Sequence, residues 1–251
     1  MNTAREGFLL RKYLGEDALK GLRHANAYIA GGAITSLFTG AKIRDWDIYF
    51  RTAEDCQKAI TWFGINGKLV NETDTSKSYH LGKQERPYQL IVLPDLFGSP
   101  MDIFKCYDFT VCMGAYQFFE SPSEENKEGF IFGDDFLKHL SQRRLVFHTG
   151  TMFPICSMLR VMKYMKRGFF ITGMEMLKIG LSIHALKIST YADLRRQLQG
   201  IDTAFLADLT DQFAKGEPLG AKEYVTDQFM AMIEQYVTER YEHLTTDEVE
   251  D

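Results

Sequence analysis

Two aspartates separated by one residue are the feature of this sequence best suited to chemistry. Asp45 and Asp47 flank Trp46 at the start of Trp46–Phe50, whose aromatic and branched side chains predict a strand. Residues two apart in a strand point to the same face, about 7 Å apart along the backbone. Both carboxylates can therefore face one spot, where oxygen ligands suit Mg²⁺ or, in its place, Mn²⁺.

A diglycine precedes the aspartates by about a dozen residues. Gly31 and Gly32 lie between a short apolar strand predicted at 27–30 and a helix predicted at 33–38. A backbone without Cβ atoms can approach a triphosphate closely, and the following helix directs its free amides towards the phosphates. Each feature alone is common in solvated turns and strands. Their order of strand, diglycine, helix and strand instead favours a phosphate cradle beside a two-metal site.

The rest of the chain predicts the scaffold for these residues. Helical patterns at 6–22 and 55–63 alternate with a further apolar strand at 88–93, which indicates a mixed sheet with packed helices. A polar loop at 121–129 marks a boundary, and the pattern beyond it is overwhelmingly helical, with helices expected at 153–166, 190–198 and 226–244. We therefore predict an α+β fold: an α/β head with a mixed sheet at 1–122, then an all-α neck and body at 123–251.

Composition limits the class of protein. The 251 residues are 45% hydrophobic and 25% charged, which is typical of a globular core. No apolar run approaches the roughly 20 residues that span a bilayer, and the N-terminus lacks the layout of a secretory signal. The four cysteines form no CxxC pair, which argues against a zinc knuckle or a disulfide framework. We expect a cytoplasmic protein with no membrane partner.

The overall charge does not predict a protein that grips a long nucleic acid. The net charge is −5 and the pI is about 5.7, whereas such proteins usually have a basic balance. A polynucleotide partner would need a local patch, and the clearest one is Arg160, Lys163, Lys166 and Arg167. This patch is either a solvated helix face with partly buried stems or a contact for the phosphates of a nucleotide or RNA.

Three segments together resemble a known enzyme family. The strand, diglycine, helix and DxD order over residues 28–50 is similar to the head domain of class II tRNA CCA-adding enzymes and bacterial poly(A) polymerases, within the polymerase-β-like nucleotidyltransferase superfamily. The segment YDFTVCMGAY at 107–116 looks like the family's RRDFTxNA element. The segment MLRVMKY at 158–164, followed by Gly168 and Phe169, resembles its LRAVRF helix and GF pair. The resemblance covers roughly residues 27–170.

This resemblance implies Mg²⁺-dependent transfer of a nucleoside monophosphate from a nucleoside triphosphate (NTP) to an acceptor hydroxyl, with release of pyrophosphate. Asp45 and Asp47 would be the catalytic metal ligands. The nucleotide would be held by Gly31, Gly32, Ser36, Asp108, Arg160 and Lys163. For Asp108, an equally weighted alternative is that it caps a helix beginning at Phe109.

Several positions depart from the family pattern. Thr35 and Ser36 replace an Arg-Asp pair after the diglycine, and Cys106 and Tyr107 replace two arginines before Asp108. Cys112 replaces an asparagine, and Gln89 stands at a strand position that often carries a third acidic residue. The metal pair and the glycines are intact, so we expect retained phosphoryl-transfer chemistry with changed substrate selection. This drift and the compact size suggest a phage or mobile-element protein.

The acceptor is left open by the sequence. The resemblance favours the 3′ end of a tRNA or other RNA. One alternative is a protein side chain or small molecule, as in toxin-type or antibiotic-modifying members of the superfamily. Another is a degenerate head that binds RNA or protein without catalysis, although paired carboxylates are costly to bury without a cation. Base preference, the number of nucleotides added and the oligomeric state are not determined.

Overall fold

A computed structural model describes residues 3–84, 86–124 and 126–198. Its main element is a mixed sheet of seven strands in the order β3-β4-β5-β2-β1-β6-β7, in which only the β2–β5 pair is parallel. The strands are β1 (Tyr28–Ala30), β2 (Trp46–Tyr49), β3 (Lys68–Glu72), β4 (Ser76–His80), β5 (Tyr88–Ile91), β6 (Gly114–Gln117) and β7 (Gly129–Phe132). A separate parallel pair consists of β8 (Arg144–Leu145) and β9 (Phe170–Ile171).

The described residues also form α-helices. They are α1 (Ala4–Leu14), α2 (Glu16–His24), α3 (Gly32–Thr39), α4 (Ala53–Asn66), α5 (Pro100–Phe104), α6 (Phe136–Ser141), α7 (Pro154–Lys166), α8 (Gly173–His184) and α9 (Tyr191–Leu198). The helix expected at 6–22 is two helices, because Gly15 adopts φ 79° and ψ 160°, which is not helical. Single 3₁₀ turns occur at Pro94–Leu96 and Thr110–Cys112.

The two faces of the sheet have different neighbours. On one face, Phe63 of α4 contacts the rings of Tyr79 and Tyr88. On the other face, Tyr28 stacks on Tyr49, and both belong to a buried cluster that α5 completes. The buried members of this second cluster are Tyr28, Ala30, Tyr49, Ile103, Phe104, Met113 and Ala115. Burying apolar side chains on both faces holds the short central strands in place.

The predicted mixed α+β fold is confirmed, and so are the short elements around the aspartates. Beyond the polar loop, however, the expectation of an almost wholly helical chain is wrong. Phe130, Ile131 and Phe132 pair with β6 as the last strand of the large sheet, and β8 pairs with β9. The sheet thus continues past residue 122, and the division at 122/123 into a head and a helical body stays a prediction. The helix expected at 226–244 lies outside the described residues.

The described chain divides into two compact units. One consists of residues 3–152 with Val161–Lys178, and it contains both sheets. The other consists of Phe153–Arg160 with residues 179–198. In this second unit the Cys156 thiol donates to the carbonyl of Gln197 across 2.7 Å. Within 3–84, 86–124 and 126–198, no helix is both long and apolar enough to cross a membrane.

Candidate active site

The diglycine and the aspartates lie side by side at one end of the central strands β1 and β2. β1 and β2 are antiparallel, with Tyr28 opposite Tyr49 and Ile29 opposite Ile48. Continuing this register places Ala30 opposite Asp47, so the chain leaves β1 at Gly31 beside the point where β2 begins. Two segments separated by the whole of α3 are thus brought together by a single strand pair.

Gly31 has a backbone conformation that suits only glycine. Its φ of 80° and ψ of −137° lie in a region that L side chains rarely adopt. Its carbonyl accepts from the amides of Ile34 and Thr35, which starts α3 directly after the turn. The N-terminus of the eight-residue helix α3 therefore lies at the strand end that carries the aspartates. A helix N-terminus favours anions.

Thr35 explains one departure from the family pattern. It is buried, and its hydroxyl donates to the carbonyl of Val111 across 2.6 Å and lies 3.3 Å from that of Gly31. The side chain therefore ties the first turn of α3 to the segment that follows Asp108. A position that is charged in the related enzymes has a structural role in this chain.

Asp47 is half-buried in β2, and Asp45 is half-buried immediately before the strand. Alternation along an extended backbone places both on the face that carries Tyr49. The neighbour of Asp47 in β5 is Gln89, whose amide nitrogen donates to the Ser76 hydroxyl across 2.9 Å. An amide therefore stands beside Asp47, and the match of Gln89 to a third acidic position stays a prediction.

The acidic pair is small but chemically adequate for a metal. Among the described residues, no group of three or more His, Cys, Asp or Glu side chains is arranged to hold an ion. Mg²⁺ commonly uses one or two protein carboxylates and fills its other positions with water and substrate phosphates. Asp45 and Asp47 beside a phosphate-favouring turn fit that requirement, whereas they would not form an all-protein cage.

Tyr107 is a site residue that the sequence did not single out. Its hydroxyl is buried near the glycine turn and next to Tyr49, and its ring packs on Tyr49 and Phe104. Burial, together with Tyr49 and the charge of Asp47, raises the pKa of Tyr107 well above its ordinary value. Tyr107 therefore carries a neutral hydroxyl near both Gly31 and Asp47. The available signal was its position next to Asp108, where the family has an arginine.

The backbone of the segment that contains Tyr107 and Asp108 is in contact with His148. The amide of His148 donates to the carbonyl of Asp108 across 2.7 Å, and the His148 ring nitrogen Nδ1 lies 3.1 Å from that of Tyr107. Phe109 bridges to Phe147. Asp108 itself is buried. The helical turn after it begins at Thr110 with Phe109 before it, and no side chain caps it, so the capping role for Asp108 is wrong.

Ser36, Arg160 and Lys163 were also predicted as site residues. Ser36 is buried one turn into α3 and lines a cleft near the carboxyl end of that helix. On α7, Lys163 is exposed and belongs to the unit that contains the sheet, whereas Arg160 belongs to the other unit. Cys112, in place of the family's asparagine, is buried with its sulfur 2.9 Å from the Tyr164 hydroxyl. The structure thus brings together Gly31, Gly32, Asp45 and Asp47 and adds Tyr107 and Gln89.

Solved structures with a similar fold include CCA-adding enzymes. The Thermotoga maritima CCA-adding enzyme complexed with tRNA matches 87% of this chain and 50% of its own, with 16% identity and a TM-score of 0.51. A CCA-adding enzyme with CTP matches 94% of this chain and 53% of its own, with 16% identity and a TM-score of 0.54. At such identities the likeness shows a shared nucleotidyltransferase fold.

A relative with much higher identity comes from a phage. "Gabija anti-defense 2" of Bacillus phage SPbetaL7 is 39% identical over 194 residues. The match takes in 76% of this chain but 46% of the relative, so the chain spans about half the length of that protein. A phage relative agrees with the phage origin expected from the sequence.

The family differs from the one that the sequence motifs suggest. Residues 5–143 match the model of the family described as "Gad2: Gabija anti-defense 2 family protein". The matched range includes both glycines, both aspartates and Tyr107, and the resemblance to CCA-adding enzymes holds at the level of the fold. The chain belongs to the Gabija anti-defense 2 family.

Proposed function

We propose that this chain is a Mg²⁺-dependent nucleotidyltransferase that moves a nucleoside monophosphate from an NTP to an acceptor hydroxyl. In this reaction the acceptor oxygen forms a bond to the α-phosphorus, the bond between that phosphorus and the bridging oxygen breaks, and pyrophosphate leaves. The acceptor's proton is released to solvent. The observation that supports the proposal is the adjacency of Asp45 and Asp47 to the Gly31 turn.

Each group has a defined part in this proposal. Asp45 and Asp47 would hold Mg²⁺ or Mn²⁺, which, when bound, neutralises phosphate charge and orients the reacting oxygens. Gly31, Gly32 and the first amides of α3 would bind the triphosphate, and the Tyr107 hydroxyl would donate to it. The chain's contribution is therefore positioning and electrostatic stabilisation rather than covalent chemistry.

The residue beside Asp47 in the sheet is Gln89, an amide and not a carboxylate. An amide beside Asp47 does not accept a proton at neutral pH, and it is oriented by its bond to Ser76. The acceptor hydroxyl would therefore depend on the metal and on solvent for its activation. We expect a slower enzyme than one with a carboxylate at this position, and one whose substrate is selected outside the metal pair.

The acceptor in this proposal is the 3′ hydroxyl of an RNA, and the transfer would act against the Gabija defence for which the family is named. The related fold binds tRNA in the Thermotoga maritima enzyme, which supports an RNA acceptor here. The family description also favours a second candidate. A protein of the defence system could carry the acceptor hydroxyl, because an anti-defense protein must alter some component or product of that system.

A labelling experiment tests the proposal. The chain is incubated with each α-³²P-labelled NTP, Mg²⁺ and total RNA from a host that carries the defence system, alongside lysate protein, with and without RNase. We expect a label that RNase removes and that requires Mg²⁺. The matched variants Asp47→Asn and Asp17→Asn separate a site effect from a general loss of charge, since Asp17 is an exposed residue of α2.

The result of the labelling experiment distinguishes an RNA acceptor, a protein acceptor and the absence of nucleotidyl transfer. An RNase-resistant protein band that Asp47→Asn abolishes would replace the RNA acceptor by a protein acceptor and keep the transfer chemistry. Equal labelling by wild-type and Asp47→Asn chains, or no Mg²⁺-dependent label with any NTP, would contradict the nucleotidyltransferase itself.

A further inference from the structure

The first unit contains a cleft whose lining residues do not include Asp45 or Asp47. It has a volume of about 650 Å³, within the range of ligand sites. We name it the α1–α3 cleft. Its walls are Arg5, Glu6, Leu9 and Tyr13 of α1, residues 36–43 at the end of α3 and beyond it, and Arg86 before β5.

The cleft is positive although the protein is acidic. Arg5, Lys42 and Arg86 come from three separate elements, and Glu6 is the one acidic side chain among the lining residues, so three cations against one carboxylate leave a formal +2. Within 3–84, 86–124 and 126–198, none of the three cations forms an ion pair. Unpaired cations around one concavity, in a chain of net charge −5, indicate an anionic ligand.

The cleft also offers a flat surface. The Arg86 guanidinium lies over the ring of Tyr13, 5.5 Å from its centroid, and Tyr13 is 38% exposed. A guanidinium stacked on an aromatic ring leaves planar faces on which a base can stack. Phosphate-binding cations interleaved with stacking groups are the chemistry that holds single-stranded nucleic acid.

The position of the cleft connects it to the candidate active site. Lys42 and Ile43 line it, and Asp45 follows within three residues, so the Cα atoms of Lys42 and Asp45 are at most roughly 11 Å apart. Arg86 precedes β5, whose first residue, Tyr88, pairs with Trp46 between the two aspartates. The cleft therefore lies near the same end of strands β2 and β5 as the two aspartates.

We propose that the α1–α3 cleft binds a single-stranded polynucleotide, with Arg5, Lys42 and Arg86 on successive phosphates and Tyr13 against a base. A free nucleotide offers one cluster of phosphates, whereas these cations come from three elements around the cleft. The proposed binding of a polynucleotide does not depend on whether the chain catalyses nucleotidyl transfer. Only the further step, that this strand leads an acceptor 3′ end to Asp45 and Asp47, rests on the proposed function.

Fluorescence anisotropy with a labelled 12-nucleotide RNA tests the binding. We expect a salt-dependent affinity whose logarithmic slope reflects about three phosphate contacts, close to −2. Lys42→Glu should weaken binding about tenfold, since it removes a charge-assisted contact. The triple Arg5→Glu, Lys42→Glu, Arg86→Glu variant should abolish binding. The control Lys127→Glu makes the same change of charge at an exposed residue before β7, and should bind as wild type does. The carbonyl of Lys127 accepts from the Gln117 side chain, which places it at the opposite end of the strands from Arg86.

Further arms separate the alternatives. A DNA 12-mer of the same sequence tells whether the 2′-hydroxyl is read, and either preference supports a polynucleotide site. Displacement of the RNA by micromolar ATP, equal affinity for a duplex, or equal weakening by Lys42→Glu and Lys127→Glu would overturn the proposal. Asp47→Asn should bind RNA normally, so binding and catalysis can fail independently. Circular dichroism of each variant verifies that it is folded.

Discussion

A methyl group placed on Gly31 would lie 3.5 Å from the hydroxyl oxygen of Tyr107. These residues are far apart in the chain, and each belongs to a different motif, yet the fold brings them into van der Waals range beside Asp47. The glycine turn, Asp47 and the segment that contains Tyr107 are therefore neighbours in the fold.

Gly31→Ala should damage the turn. The substitution forces an L side chain into a φ of 80°, which costs about 1 to 3 kcal/mol. The added Cβ would be in ordinary van der Waals contact with Tyr107, so the cost comes from the backbone. We expect a lower free energy of unfolding by urea denaturation and a loss of NTP binding. For stability, Gly32→Ala is the matched control, because nothing lies within 4 Å of the added Cβ and the residue begins α3. Equal losses of stability from both variants would show that the special conformation of Gly31 is unimportant.

Tyr107→Phe should separate the hydroxyl from the ring. The ring contacts with Tyr49 and Phe104 are kept, so stability should change little, whereas KM for the NTP should rise about tenfold because a donor to phosphate is lost. Tyr88→Phe is the comparison, since the Tyr88 side chain lies on the opposite face of the sheet from Asp47 and its hydroxyl donates to the carbonyl of Leu14 across 2.6 Å. It should cost about 1 to 3 kcal/mol of stability and leave KM alone. The opposite pattern would remove Tyr107 from the site.

Thr35→Val tests the strut between α3 and the Val111 segment. The exchange keeps the shape of the side chain but leaves a buried carbonyl without its donor, which costs about 1 to 3 kcal/mol. Thr35→Ser retains the hydroxyl and should recover most of that loss. Thermal unfolding of the three proteins would measure this, and identical melting of Thr35→Val and wild type would refute the structural role.

Acid should weaken the start of α5. Lys105, which donates to the carboxylate across 2.8 Å, and Ser99 lower the pKa of Asp102 from 3.8 to about 2. The folded carboxylate stays ionised where the unfolded one already binds a proton. Its stabilisation is therefore complete above about pH 4 and is lost as the pH falls towards 2. Urea midpoints between pH 2 and 6 should fall less steeply for Asp102→Asn, and parallel curves would contradict this assignment.

The sequence predicted the elements that carry their own local signal. Glycines at 31 and 32 and the aromatic strand after Asp45 were sufficient to place β1, α3 and β2, because turn residues and strand composition act over a few positions. The strand at 129–132 was missed, since its aromatic run after a polar loop resembles a helical core as much as a strand. Its pairing with β6 is a long-range contact that periodicity does not encode.

The candidate site was predictable in part for the same reason. The spacing of Asp45 and Asp47 gives their common face directly. Gln89 lies beside Asp47 because β5 pairs with β2, and the backbone of Tyr107 is in contact with His148. Neither contact is visible in a local sequence pattern. The cations of the α1–α3 cleft come from three distant segments, so only the folded chain brings them together.

Binding of Mn²⁺, measured by electron paramagnetic resonance as the loss of the free-ion signal, tests the central claim most directly. In the presence of a non-hydrolysable ATP analogue, the wild-type chain should take up Mn²⁺, and Asp45→Asn or Asp47→Asn should weaken that uptake by at least tenfold while the fold is unchanged. Mn²⁺ uptake that is the same in wild type and in the double Asp45→Asn, Asp47→Asn variant would contradict the assignment of these two carboxylates as the metal site.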